Sequence, residues 1–146
     1  MQDDTLISPG HLEGTRNGRG NVYARGCSTR QLLDRIGDKW SVLILLLLGD
    51  GEMRFSELKR RIDGVSQKML TQTLRSLERD GLVDREAVPT VPVTVTYRIT
   101  PLAGELLAAL RLMMEWAETR MSAVAAAQAK FDEQRAAVDQ TYPIGQ

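Results

Sequence analysis

Arg54-Phe-Ser-Glu-Leu-Lys-Arg-Arg-Ile-Asp-Gly-Val-Ser-Gln-Lys-Met-Leu-Thr-Gln-Thr-Leu-Arg-Ser-Leu-Glu-Arg-Asp-Gly-Leu82 reads as two short helices joined by a tight turn. Phe55 leads the first, with Ser56 as its expected N-cap and Leu58 and Ile62 facing inward. Asp63-Gly64 ends it, because glycine takes the left-handed backbone that a sharp turn needs. Ser66 is placed to cap the next helix, and Val65 and Leu70 occupy the two positions of a hydrophobic staple. Leu70, Leu74 and Leu77 form an inner stripe at helical spacing, while Gln67, Lys68, Thr71, Gln72, Arg75 and Arg79 point elsewhere. Gly81 closes the helix.

Downstream, Val83 to Val88 is a candidate strand and Pro89-Thr-Val-Pro92 a break. Val93, Val95, Tyr97 and Ile99 then alternate with Thr94, Thr96, Arg98 and Thr100, the period of a strand with one wet face. Helix, turn, helix and hairpin in that order predict a winged helix-turn-helix, mainly α with a small β-hairpin. Thr100 and Pro101 have the chemistry of an N-cap and first position, and Leu102, Leu106, Leu110, Met113, Met114, Ala117 and Met121 give the following helix a broad apolar face. Upstream, Leu32, Leu33, Ile36, Trp40, Leu43, Ile44 and Leu47 recur at steps of three and four. They predict one helix with a single buried stripe, stopped by Gly49-Asp50-Gly51. Three segments follow: a flexible arm at 1–26, a folded domain at 27–121 and a helical or partly disordered tail at 122–146.

Formal net charge is zero over 146 residues, which is unusual for a nucleic-acid binder, but its distribution is uneven. Residues 16–35 hold five arginines against Asp34, and residues 52–85 hold eight basic and six acidic side chains. Residues 101–146 hold four basic and six acidic. A basic face with an acidic rear suits a duplex on one side. One Cys and one His give neither an intrachain disulfide nor a zinc site, and no cofactor is expected. The apolar run Val42 to Leu48 is too short to span a bilayer, and the first residues lack a signal-peptide pattern, so a cytoplasmic protein without membrane contact is expected. An enzyme is not expected: His11 lies in the arm, and no phosphate-cradling loop, HExxH or Cys–His pair is present.

From Cys27 to about Met121 the chain resembles the HxlR family of bacterial winged-helix transcriptional regulators. The resemblance rests on Cys27, Ile36-Gly-Asp-Lys-Trp-Ser-Val-Leu-Ile-Leu45, Arg54-Phe-Ser-Glu-Leu58 and Gly64-Val-Ser-Gln-Lys-Met-Leu-Thr-Gln-Thr-Leu-Arg-Ser-Leu-Glu78. Asp80-Gly-Leu-Val83 and Tyr97-Arg-Ile-Thr-Pro-Leu102 complete it. It implies a homodimer built from the N- and C-terminal helices, binding pseudo-palindromic operators, and it implies that several members sense electrophiles or oxidants through a thiol. Ser28 stands where many members have proline, and Thr96 where many have an acidic residue.

On this reading the partner is a double-stranded DNA operator. Gln67, Lys68, Gln72 and Arg75 are the expected base contacts, since Gln suits adenine and Arg or Lys suits guanine. Arg54, Lys59, Ser66 and Thr71 would hold phosphates, and Arg85, Thr90, Thr94 and Arg98 belong to the wing. Trp40, Leu45, Leu48, Met113, Met114, Trp116 and Met121 exceed what a small winged core hides, so they are assigned to a homodimer interface. Cys27, next to a helix start and between Arg25 and Arg30, is the candidate redox or electrophile switch; a small buried hydrophobe is the competing reading. Two alternatives stay open: a small-molecule-responsive regulator with a pocket at the dimer interface, and a winged-helix interaction module that binds no DNA.

Overall fold

Asp38 sets the first departure from the sequence pattern. In the computed structural model, which describes residues 21–141, the upstream apolar stripe is carried by two helices rather than one, α1 (Ser28–Gly37) and α2 (Lys39–Leu48). Asp38 is extended, at φ −91° and ψ 109°, and caps α2: its carboxylate accepts the Trp40 N–H at 3.1 Å and the Ser41 hydroxyl at 3.0 Å. The second bond satisfies a hydroxyl on a fully buried side chain, which would otherwise cost stability. No residue of α1 is buried, and Leu32 and Leu33 are exposed. Of the expected stripe only Ile44 is buried; Trp40, Leu43 and Leu47 are half-buried, and α2 enters the core through Val42, Ile44, Leu45 and Leu48 instead.

Next come β1 (Met53–Arg54), α3 (Phe55–Arg61), α4 (Gln67–Arg79), β2 (Val83–Val88), β3 (Thr94–Ile99) and α5 (Pro101–Thr141). Ser56 lies inside α3 rather than capping it. Arg54 is the N-cap residue, and its N–H donates to Glu57 Oε1 at 3.2 Å. The expected hairpin is a three-stranded antiparallel sheet in the order β1-β3-β2. β2 pairs with β3 from Val83↔Ile99 to Val88↔Thr94, and the short β1 adds Met53↔Tyr97 and Arg54↔Thr96.

The turn between α3 and α4 runs through Gly64 at φ +88°. A side chain begun there would meet Trp40 Cη2 at 3.8 Å, so this indole packs along the turn. Ser66 caps α4 by accepting the Met69 N–H at 3.0 Å, and Val65 and Leu70 are both buried, as a staple requires. Leu70, Leu74 and Leu77 are buried, and Thr73 joins their face by donating to the Met69 carbonyl at 2.7 Å. α2 and β2 pack against α4. Thr100 accepts the Ala103 N–H at 3.2 Å at the start of α5 and donates to the Gly81 carbonyl at 2.6 Å.

The chain divides into two units, Met1–Gly104 and Glu105–Gln146. In the second, Leu107 and Leu110 are buried. α5 then runs without a break past Met121 to Thr141, carrying exposed Leu112, Trp116, Phe131 and Val138. The arm expected at 1–26 and the tail expected at 122–146 lie partly outside the described residues.

Replacing Asp38 by Ala is expected to lower stability by about 1–2 kcal/mol. The urea midpoint should fall at unchanged slope. Asp38→Asn, which keeps a capping oxygen, should lose clearly less; equal losses would show that the cap is not what Asp38 contributes.

Candidate nucleic-acid interface

α4 is oriented by what it buries. With Leu70, Thr73, Leu74 and Leu77 inward, the opposite side of the helix presents Lys68, Gln72, Arg75 and Arg79, spaced four, three and four residues apart. All four are exposed. Gln67 is also exposed and Thr71 is half-buried at the margin of this row. Arg79 was not among the expected contact residues, although its spacing from Arg75 could have shown it. Met69, exposed in the first turn, is a second residue that the pattern left out.

Arg54 and Lys59 are exposed on either end of α3, and Arg60 and Arg61 extend the basic group in its last turn. Cations there also complement the partial negative charge at a helix C-terminus. The Ser66 hydroxyl is occupied by its cap. Its expected phosphate contact would have to share that oxygen.

The wing departs further from expectation. The Arg98 guanidinium is engaged by Glu86 at 2.8 Å and Glu52 at 3.6 Å. Thr90 donates to the Pro92 carbonyl at 2.7 Å and lies 3.2 Å from the Thr94 hydroxyl, so both hydroxyls are turned into the tip. Arg85, exposed on β2, is the expected wing residue that keeps an outward charge.

Of the expected interface set, Leu45 and Leu48 are only 3% and 2% exposed in the single chain. They are core residues with no surface to give to a partner. Trp40 is half-buried, with the Lys39 ammonium 4.7 Å from its ring centroid. Met113, Trp116 and Met121 are exposed on α5, and Met114 is half-exposed. Leu32 and Leu33 on α1, which helical spacing assigns to a buried stripe, add apolar surface.

Cys27 is the N-cap residue of α1 and is partly exposed. The Arg30 backbone N–H is the main influence holding its thiol below the ordinary range; partial desolvation opposes this, and Thr29 and the Arg30 charge add to the lowering. Among the described residues, no group of His, Cys, Asp or Glu is arranged to hold a metal. No helix among them is long and apolar enough to cross a membrane.

A helix-turn-helix whose second helix turns a Lys/Gln/Arg row outward, with a β-hairpin attached to its end, defines a winged-helix DNA-binding transcriptional regulator. The chain belongs to the HxlR-like helix-turn-helix family, whose model matches residues 35–125. Over 107 residues it is 42% identical to the HTH-type transcriptional regulator YtfH of Escherichia coli (strain K12), itself uncharacterized, covering 73% of this chain and 85% of that protein. Among solved structures, ytfH from Salmonella typhimurium, a proposed transcriptional regulator, matches with a TM-score of 0.71 and 40% identity over 76% of this chain and 99% of its own. The redox regulator HypR in its reduced form gives a TM-score of 0.64 at 36% identity, covering 67% of this chain and 97% of its own. Diamide-treated YodB from B. subtilis gives 0.56 at 34% identity, covering 66% and 96%.

A thiol held below its ordinary range is thiolate at pH values where a free thiol is still protonated, and thiolate is the form that reacts. Iodoacetamide is therefore expected to alkylate Cys27 at pH 7 faster in the folded protein than in the urea-unfolded chain. The pH midpoint of the rate should also be lower in the folded state. A folded midpoint at or above the unfolded one would contradict this.

Proposed function

We propose that the protein binds a pseudo-palindromic operator as a homodimer and that Cys27 makes binding responsive to oxidants or electrophiles. The observation that carries the DNA reading is the exposed row Lys68, Gln72, Arg75 and Arg79, set opposite the buried leucines of α4. Gln67, Lys68, Gln72 and Arg75 read base edges in the major groove, as their donor and acceptor geometry allows. Arg79 lies a turn further on and meets phosphate together with Arg54, Lys59 and Thr71.

The exposed apolar side chains of α1 and α5 support self-association, because a monomer rarely leaves so much apolar surface open. Two-fold pairing sets two recognition helices one DNA turn apart, about 34–36 Å, or a multiple of it. The thiol reading is supported by the reactive form favoured at Cys27 and by the likeness to HypR and YodB. Oxidation joins two Cys27 thiolates of a dimer, or one of them and a small thiol, with loss of two electrons to the oxidant. A change there reaches α4 through α1, whose Arg35 is ion-paired with Asp80 at the end of α4.

In a mobility-shift titration against DNA selected from genomic fragments, Arg75→Ala is expected to weaken binding by about 1–3 kcal/mol at one base pair. Unchanged affinity after Gln72→Ala and Arg75→Ala together would remove the assignment. Sedimentation should give a dimer at micromolar concentration. Diamide should weaken binding by the wild type and spare Cys27→Ser; equal sensitivity of the two proteins would dismiss the switch while leaving DNA binding intact.

A further inference from the structure

We propose that the Arg35–Asp80 ion pair decides which half-site spacing the dimer accepts, by fixing the angle between α1 and the reading helix α4. Arg35 and Asp80 are then positioning residues, and neither touches DNA. This rests on the DNA-binding homodimer proposed above, in which α1 lies at the two-fold contact.

Asp80 does not suit the place it occupies on electrostatic grounds. It is the C-cap residue of α4, at φ −80° and ψ −2°, where the helix carbonyls leave partial negative charge and a cation is favoured. Its backbone N–H donates to the Ser76 carbonyl at 3.0 Å, so the main chain makes this cap without the carboxylate. The carboxylate instead accepts from Arg35 Nε, on a helix 45 residues earlier in the chain. Both side chains are partly buried, at 29% and 25% exposure.

The two partners differ in how firmly they are held. Beside Asp80, the Leu82 N–H donates to the Leu77 carbonyl at 2.9 Å and the Thr100 N–H to the Leu82 carbonyl at 3.1 Å. The Thr100 hydroxyl donates to the Gly81 carbonyl at 2.6 Å. Leu77 and Leu82 are themselves buried. Arg35 lies in the last turn of α1, which packs on α2 but buries none of its residues. Between α1 and α2 the chain passes through the extended Asp38. The pair therefore holds α1 against an anchored α4, and not the reverse.

Small changes of that angle are large on the scale of DNA. α1 has ten residues and is about 15 Å long. A swing of roughly 10° about Asp38 moves its far end by about 2.6 Å. Two-fold pairing doubles the displacement between copies, to more than the ~3.4 Å rise of one base pair. α4 does not absorb it, because Leu70, Leu74 and Leu77 fix its setting in the core. The angle of α1 thus reaches the operator as a number of base pairs between half-sites.

The test uses the full-length protein and duplexes carrying two copies of a half-site recovered by selection, with the spacer lengthened or shortened by about one or two base pairs. The wild type is expected to bind one spacing roughly tenfold more tightly than its neighbours. A pair this exposed contributes modestly but acts twice per dimer, so Asp80→Asn, and separately Arg35→Gln, should reduce the preference to about threefold. Affinity for a duplex with a single half-site, and the dimer constant from sedimentation, should stay within about twofold of wild type. The urea midpoint of Asp80→Asn should hardly move, because loss of the pair and relief at the helix end are similar in size and opposite in sign. Arg35→Asp alone, which sets two carboxylates against each other, should broaden the profile most. Arg35→Asp combined with Asp80→Arg should narrow it again.

An unchanged spacing profile in both single variants would overturn the proposal, as would a charge exchange that leaves the profile broad. Equal losses on single and paired half-sites would make the pair a support of α4 itself, and loss of the dimer would place it in the assembly contact; either result overturns it as well. If the wild type selects paired half-sites at one spacing and the variants match it, this inference alone falls. If no duplex is recovered, or only single half-sites, the operator reading falls with it.

Discussion

Only one rotational setting of α4 buries Leu70, Leu74 and Leu77 together, and the outward chemistry of the domain follows from that setting. Burying a leucine fully is worth about 1.5–3 kcal/mol. Turning the helix by one residue would exchange these side chains for Thr71, Arg75 and Glu78, so the penalty is several times thermal energy for each position. The row Lys68, Gln72, Arg75 and Arg79 is therefore aimed before any ligand arrives. Gly64 at φ +88° and the Ser66 cap fix where the helix starts, and Gly81 at φ +76° lets the chain leave directly into β2. A preset surface of this kind gives up little ordering entropy when it binds.

This part of the molecule was legible because helical period, cap and turn residue all point the same way between Arg54 and Leu82. Elsewhere one signal spoke alone. The apolar spacing from Leu32 to Leu47 runs through Asp38 without a skip, so periodicity cannot register the break. The pair Gly37-Asp38, a helix stop followed by a capping carboxylate, did carry it. Period also cannot say what covers a face. Leu33 and Ile44 sit on the same predicted stripe, yet one is exposed and the other buried. In the all-apolar second half of that stripe, Leu45 and Leu48 could not be sorted into core and interface. The two-residue β1 is too short to have a period, and Arg98's partner Glu52 lies far off in sequence.

A chain of zero net charge can still present a basic surface if its acids are occupied elsewhere. Five carboxylates of the first unit are held in structural roles. Asp38 caps α2, Glu57 meets the Arg54 N–H, Asp80 binds Arg35, and Glu52 and Glu86 hold Arg98. The row on α4 keeps its cations exposed. The same economy leaves the wing with Arg85 as its exposed arginine, because Arg98 is taken by acids. The exposed cations of the first unit thus include the row on α4, the last turn of α3 and Arg85 on β2.

α1 packs on α2 without entering the core. None of its residues is buried, and its apolar side chains Leu32 and Leu33 face outward. Its ties to the domain include its packing on α2, the junction at Asp38 and the Arg35–Asp80 pair. That pair is partly screened by water, so it fixes direction more than it adds stability. Such a helix takes its position from whatever covers it, and in the proposed dimer that is the second copy. Cys27 sits at one end of α1, and Arg35, at the other, grips the residue where α4 stops. A covalent change at the thiol would then shift a helix with little to resist the movement, and the displacement is delivered to the base of the reading helix rather than to its buried leucines. In the proposed dimer, such a displacement would change the spacing of the two copies of α4 without disturbing the leucines that orient each of them.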